Sequence, residues 1–235
     1  YVGSKTGDMY PFSSREVVAR TFTFKVKPLI DSVYYVKIKG TANQMDLTLS
    51  TPIHFSKKQT RDNYILGLFF GLVLSMIFYN AFIFFSTRDL SYLFYVLHVT
   101  TYGLGLSLYQ GFGQRFLFQD FPIMSNNGIT VLIGLMGFFL YLFTIKFLKL
   151  EEEMPKTYRL FIILSIFCLA LVPSAFIFDY PFNLKFQSIN GFTFTTVILI
   201  IGFYRLFNYR PAIYFCLAFV CTLVGAIIMG LMTTG

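Results

Sequence analysis

The sequence predicts a membrane-embedded bundle of α-helices preceded by the C-terminal strands of an extracytoplasmic β-sandwich. Three observations predict it. Six apolar stretches of spanning length run between Tyr64 and Met232. Charged residues make up 13% of the chain and hydrophobic ones 56%, where soluble domains run near a quarter charged. Before residue 57, apolar and polar residues alternate with a period of two, the mark of strands with one wet face.

Residues 1–56 carry the strand pattern. Phe22, Phe24 and Val26 alternate with Thr21, Thr23 and Lys25. Tyr34, Val36 and Ile38 face away from Tyr35, Lys37 and Lys39, and Leu47 pairs with Leu49 within Asp46–Ser50. Lys27-Pro28, Asp31-Ser32 and Gly40-Thr41-Ala42-Asn43 supply turns. Three strands bury too little core to stand alone. The sequence therefore reads as the end of a larger sandwich, with a meander lying on the membrane as the alternative. Residues 57–63 form a polar joint.

The spans follow as roughly Tyr64–Ser86, Ser91–Gln110, Gly128–Phe147, Tyr158–Phe178, Phe186–Phe207 and Ala212–Met232. A bilayer core about 30 Å thick needs about 20 residues of helix. Trp is absent, so Tyr alone supplies the interfacial belt. Tyr64, Tyr79, Tyr92, Tyr95, Tyr158, Tyr204, Tyr209 and Tyr214 sit near the proposed helix ends. The net charge of +8 sits in loops beside helices, which the membrane explains and nucleic acid does not. Cys168, Cys216 and Cys221 lie inside spans, with no metal-binding spacing. The chain starts without Met or a signal peptide, so its beginning reads as processed or truncated.

Loop charge sets orientation. The loops after spans one, three and five, with the turns feeding them, hold Arg88, Lys146, Lys149, Lys156, Arg159, Arg205 and Arg210. The loops after spans two and four hold only Arg115 and Lys185. The odd loops are thus expected in the cytoplasm and the N-terminal segment outside. Six spans would leave Gly235 outside too, so a seventh span is expected beyond it.

Tyr10-Pro11-Phe12-Ser13-Ser14-Arg15-Glu16 with the Thr21–Lys27 strand, Gly67-Leu68-Phe69-Phe70-Gly71, and Phe78-Tyr79-Asn80 stand out as motifs. Ser86-Thr87-Arg88-Asp89-Leu90-Ser91-Tyr92-Leu93 running into Tyr95, Gln110-Gly111, and the acidic-basic loop after the third span join them. Together they resemble the motifs of bacterial seven-transmembrane receptors with diverse intracellular signalling modules. The resemblance is strongest over residues 10–27 and 64–96. It implies a jelly-roll sensor outside, a small ligand with carbohydrates among the candidates, and a cytoplasmic signalling module in cis. The implied place is the bacterial inner membrane.

Within the spans, Asn80, His98 and Tyr102 are the polar residues singled out, because polar groups in lipid are costly. Asn80 and His98 lie at similar depth and are expected to bond across the first hairpin. Arg88-Asp89 makes the tight turn between the first two spans and is a candidate contact for the output module. Lys149–Lys156 forms an acidic-basic loop. Gly67 and Gly71 read as packing within one bundle, with a homodimer left open, and Pro173 should kink span four. No HExxH or GxSxG motif and no paired intramembrane carboxylates occur, so neither catalysis nor a cofactor is expected. The function expected is a sensory receptor. The alternative is a transporter or membrane-assembly subunit whose β-domain docks partners.

Overall fold

The computed structural model describes residues 5–26, 33–39, 47–121 and 123–221. Helix α1 runs over Pro52–Thr87, α2 over Leu90–Tyr109, α3 over Phe112–Phe116 and α4 over Ile123–Phe147. Then come α5 (Leu150–Glu153), α6 (Pro155–Ala170), α7 (Ser174–Ile177) and α8 (Tyr180–Arg205). A further helix, α9, covers Ala212–Cys221.

Four helical segments are long and apolar enough to cross a membrane: Pro52–Thr87, Asn127–Phe147, Pro155–Ile177 and Tyr180–Arg205. They match the expected spans one, three, four and five. Helix α2, at 20 residues, is about 30 Å long. Its Tyr, His and Thr residues dilute its hydropathy. Of the sixth stretch, only Ala212–Cys221 is described.

Helix α1 holds 36 residues and takes in the polar joint. Thr51 caps it, its side chain accepting from the His54 amide, and Pro52 opens the first turn. Residues 57–63 are thus helix, not linker. At Pro173 the fourth span breaks. Leu171 and Val172 donate to carbonyls three residues back at 3.3 and 3.1 Å, and α7 resumes for one turn. A proline without an N–H that clashes with the preceding turn forces this.

Helix α4 is apolar on all sides and forms the centre, packed against α2, α6 and α8. Tyr141 meets Phe161 of α6 at 5.2 Å and Phe194 of α8 at 6.3 Å. Leu140, Ile145, Ile198 and Cys168 belong to the same buried core. Phe215 of α9 stacks on Phe147 at 5.7 Å. Among the described residues α1 lies at the edge, with Val73 its one buried residue, packed where Gly103 of α2 lets it approach. Nothing described lies within 4 Å of the side-chain positions of Gly67 and Gly71, so the packing expected of them is not seen among the described residues.

The expected β-structure is not seen either. Residues 21–26, 33–39 and 47–50 form no strand, and Phe22, Phe24, Val26, Tyr34, Val36 and Ile38 are exposed. Ladder hydrogen bonds need a paired neighbour, and no described segment supplies one. Asp46 and the expected turns at 27–32 and 40–43 fall outside the described residues.

Candidate functional site

The bundle has two ends. One holds residues 110–121, the end of α7 and the start of α8. The other holds residues 88–89, 147–154 and 205–211. Each end has a built polar contact.

At the first end, residues 10–20 dock on the turn between α2 and α4. Helix α2 stops when Gly111 takes a left-handed conformation at φ 76°. A side chain at Gly111 would begin 3.0 Å from the Arg20 carbonyl oxygen, so glycine serves both the turn and the close approach. Gly113 is hemmed in by Leu108, and α3 then presents Gln114, which is 3% exposed.

Arg15 is the centre of this dock. Its guanidinium lies between the Phe12 and Phe22 rings, 4.6 and 4.5 Å from their centroids. It donates to the carbonyls of Ala19 and Arg20 at 2.8 and 2.7 Å, and to the Gln114 side-chain oxygen. Gln114 in turn donates to the Tyr10 carbonyl at 3.4 Å. Arg20 donates to the Gln110 carbonyl at 3.1 Å and to its Oε1 at 2.8 Å. The Phe12 amide donates to the Gln119 carbonyl at 3.1 Å.

Burial pushes the Arg15 guanidinium below its ordinary pKa, and the nearby Asp8 charge partly restores it. Asp8 is surface-accessible, yet crowding raises its carboxyl pKa more than Arg15 lowers it. A buried guanidinium is costly to strip of its partners, and the Arg15 Nε already has none among the described residues.

At the second end, Arg205 is 4% exposed at the close of α8. It reaches the Leu148 carbonyl at 3.2 Å and Glu153 at 3.6 Å, with Tyr209 under its guanidinium at 5.3 Å. Lys146 pairs with Glu151 at 2.5 Å. A cavity of about 250 Å³ opens beside Asp89, Ser91, Ile145, Lys146 and Lys149.

Two of the expected site residues serve this end. Asp89 caps α2, accepting from the Ser91 amide at 2.8 Å. Arg88 closes α1 in the left-handed region at φ 59°, its amide bonded to the Phe84 carbonyl at 2.8 Å. Asn80 and His98 are not brought together. Asn80 donates to Met76 of its own helix at 2.8 Å, whereas a ring nitrogen of His98 lies 3.1 Å from the Met136 carbonyl of α4. Tyr102 is 46% exposed.

Sequence reasoning missed Arg15, Arg20 and Gln114 as site residues, because contacts between residues about a hundred positions apart leave no local signature. It also passed over Asn183, Gln187 and Asn190 of α8. Their spacing of four and three residues was a readable signal of one helix face.

The model of a family described as 7TM diverse intracellular signalling matches residues 62–235. No curated protein and no solved structure matches the chain.

Proposed function

Because this chain belongs to the 7TM diverse intracellular signalling family, we propose that it is a transmembrane sensory receptor coupling an extracytoplasmic ligand to a cytoplasmic signalling module. Residues 1–56 would belong to the sensor, the alternation at 21–26 and 34–39 supplying strands of a jelly roll. Helices α2 and α9 would join the four long apolar segments as spans, with a seventh to complete the set. The bundle sits in the bacterial inner membrane with the Arg15 dock outside, as the excess of Lys and Arg at the Arg205 end supports.

The dock carries this reading. A sensor segment bonded to the α2–α4 turn can displace that turn when ligand moves it. The turn leads directly into α4, the central helix, which passes the shift to α6 and α8. A second route runs through α1, continuous from Pro52 across the joint. The bundle would then change the balance between two packings rather than perform chemistry.

Spin labels at Lys156 and Arg210, both exposed, test it in the full chain in nanodiscs. Arg15→Ala should shift the distance distribution between them. A distribution identical with and without the dock would refute coupling from this site.

A further inference from the structure

Helix α8 carries a polar stripe through an apolar run. Asn183, Gln187 and Asn190 share the face turned toward α6 and α7. Asn183 is 2% exposed and fully engaged. Its amide nitrogen donates to the Ser174 and Phe178 carbonyls at 2.8 and 3.0 Å, and its oxygen accepts from the Ser174 hydroxyl at 3.1 Å. Asn190 reaches the Cys168 sulfur at 3.6 Å.

Gln187, between them, is 1% exposed, and neither its amide nitrogen nor its oxygen has a partner among the described residues. Thr130 of α4 is also 1% exposed, its hydroxyl likewise without a partner among the described residues. Gly134 lies one turn further along the same face of α4. A side chain begun at Gly134 would come within 3.1 Å of the Cys168 carbonyl oxygen and 3.7 Å of the Gln187 amide nitrogen. The backbone of α4, a carbonyl at the end of α6, a Val172 methyl at 3.1 Å and the Gln187 amide therefore surround one point, just before the break at Pro173.

Each buried polar group left unpartnered costs about 1–3 kcal/mol, and lipid offers nothing to satisfy it. The donor and acceptor pattern selects the occupant. An apolar molecule would leave the amide unsatisfied. A cation would find neutral oxygens and no carboxylate. Water accepts from the Gln187 nitrogen and the Thr130 hydroxyl, and donates to the Gln187 and Cys168 oxygens. Shared over one or two waters, these bonds fall within the roughly two to four that each buried water makes.

We propose that Gln187, Thr130 and the Cys168 carbonyl hold internal water at the α6–α7 break, forming a hydration site inside the membrane bundle. Water can turn as the break opens or closes, so the fourth span can change its bend without stripping hydrogen bonds.

A high-resolution structure of the full chain in lipid nanodiscs tests it directly. Ordered water density within hydrogen-bond distance of the Gln187 amide is expected. An amide bonded straight to another protein group, with no such density, would overturn the proposal. Thermal unfolding adds a second reading. Gln187→Leu and Thr130→Val should each lower Tm by about 2–4 °C, and the double variant by no more than the larger single effect, because either change empties the same site. A rise in Tm for Gln187→Leu would overturn it, since an amide without any partner is better replaced by hydrocarbon. Fully additive losses would overturn it too.

Discussion

Arg205 donates its Nε proton to the Leu148 carbonyl oxygen at 3.2 Å, joining the end of α8 to the end of α4 across a buried contact. The same guanidinium sits 3.6 Å from Glu153, whose side chain is 55% exposed. The two bonds differ in worth. An exposed ion-pair partner contributes about 0–1 kcal/mol, whereas a buried carbonyl left bare costs about 1–3 kcal/mol.

Arg205→Ala should therefore destabilise the bundle by about 1–3 kcal/mol and Glu153→Gln by under about 1 kcal/mol. Thermal unfolding in nanodiscs measures both. Equal losses would place the weight on the ion pair instead.

Arg15 and Gln114 should be energetically coupled. Gln114→Leu leaves the buried guanidinium short of a partner and should loosen residues 10–20 nearly as much as Arg15→Ala does. Amide hydrogen exchange over that segment reads the loosening. A double variant whose effect equals the two singles combined would show the pair to be independent.

Asn80 and His98 should behave independently, each bonding to a backbone carbonyl of its own. His98→Leu is expected to cost about 1 kcal/mol, and adding Asn80→Leu should simply add its own effect. A coupling energy above about 0.5 kcal/mol would restore a bond between them.

The dock should tighten on acidification. The docked Asp8 carboxyl has a pKa above its ordinary value. A raised folded-state pKa contributes stability that is fully present below the ordinary carboxylate pKa and is lost as pH rises through the raised value. Hydrogen exchange in residues 10–20 should thus slow, after correction for intrinsic rates, as pH falls through that window. Asp8→Asn should remove that dependence.

Cysteines replacing Asp120 and Glu152 should label from opposite sides of intact cells, Asp120 from outside. Equal labelling of both from outside would reverse the charge argument for orientation.

The four long apolar segments were legible because about 20 consecutive apolar residues admit few other readings. Pro173 announced the break in the fourth span through its missing N–H. The length of α1 was not read, although Thr51-Pro52 is a strong helix-start pair, because polar residues 56–63 look like a linker when only apolarity is weighed. Asn80 and His98 misled for a different reason. Polar side chains at equal depth need not meet when each has a nearer backbone carbonyl. The Arg15 dock depends on a turn geometry set by Gly111 and on partners far along the chain, neither of which composition or periodicity encodes.

The unbroken length of α1 has a mechanical consequence. Its 36 residues make a rod of about 54 Å, far longer than the hydrocarbon layer of about 30 Å. Such a rod is a lever. Pivoted at the Arg88 turn, a tilt of about 5° carries its Pro52 end sideways by about 5 Å. The described residues clamp little of α1, so they offer such leverage little resistance. A sideways tug at the Pro52 end would therefore reach the Arg88-Asp89 turn as a torque and a change of angle, the pivot itself staying in place.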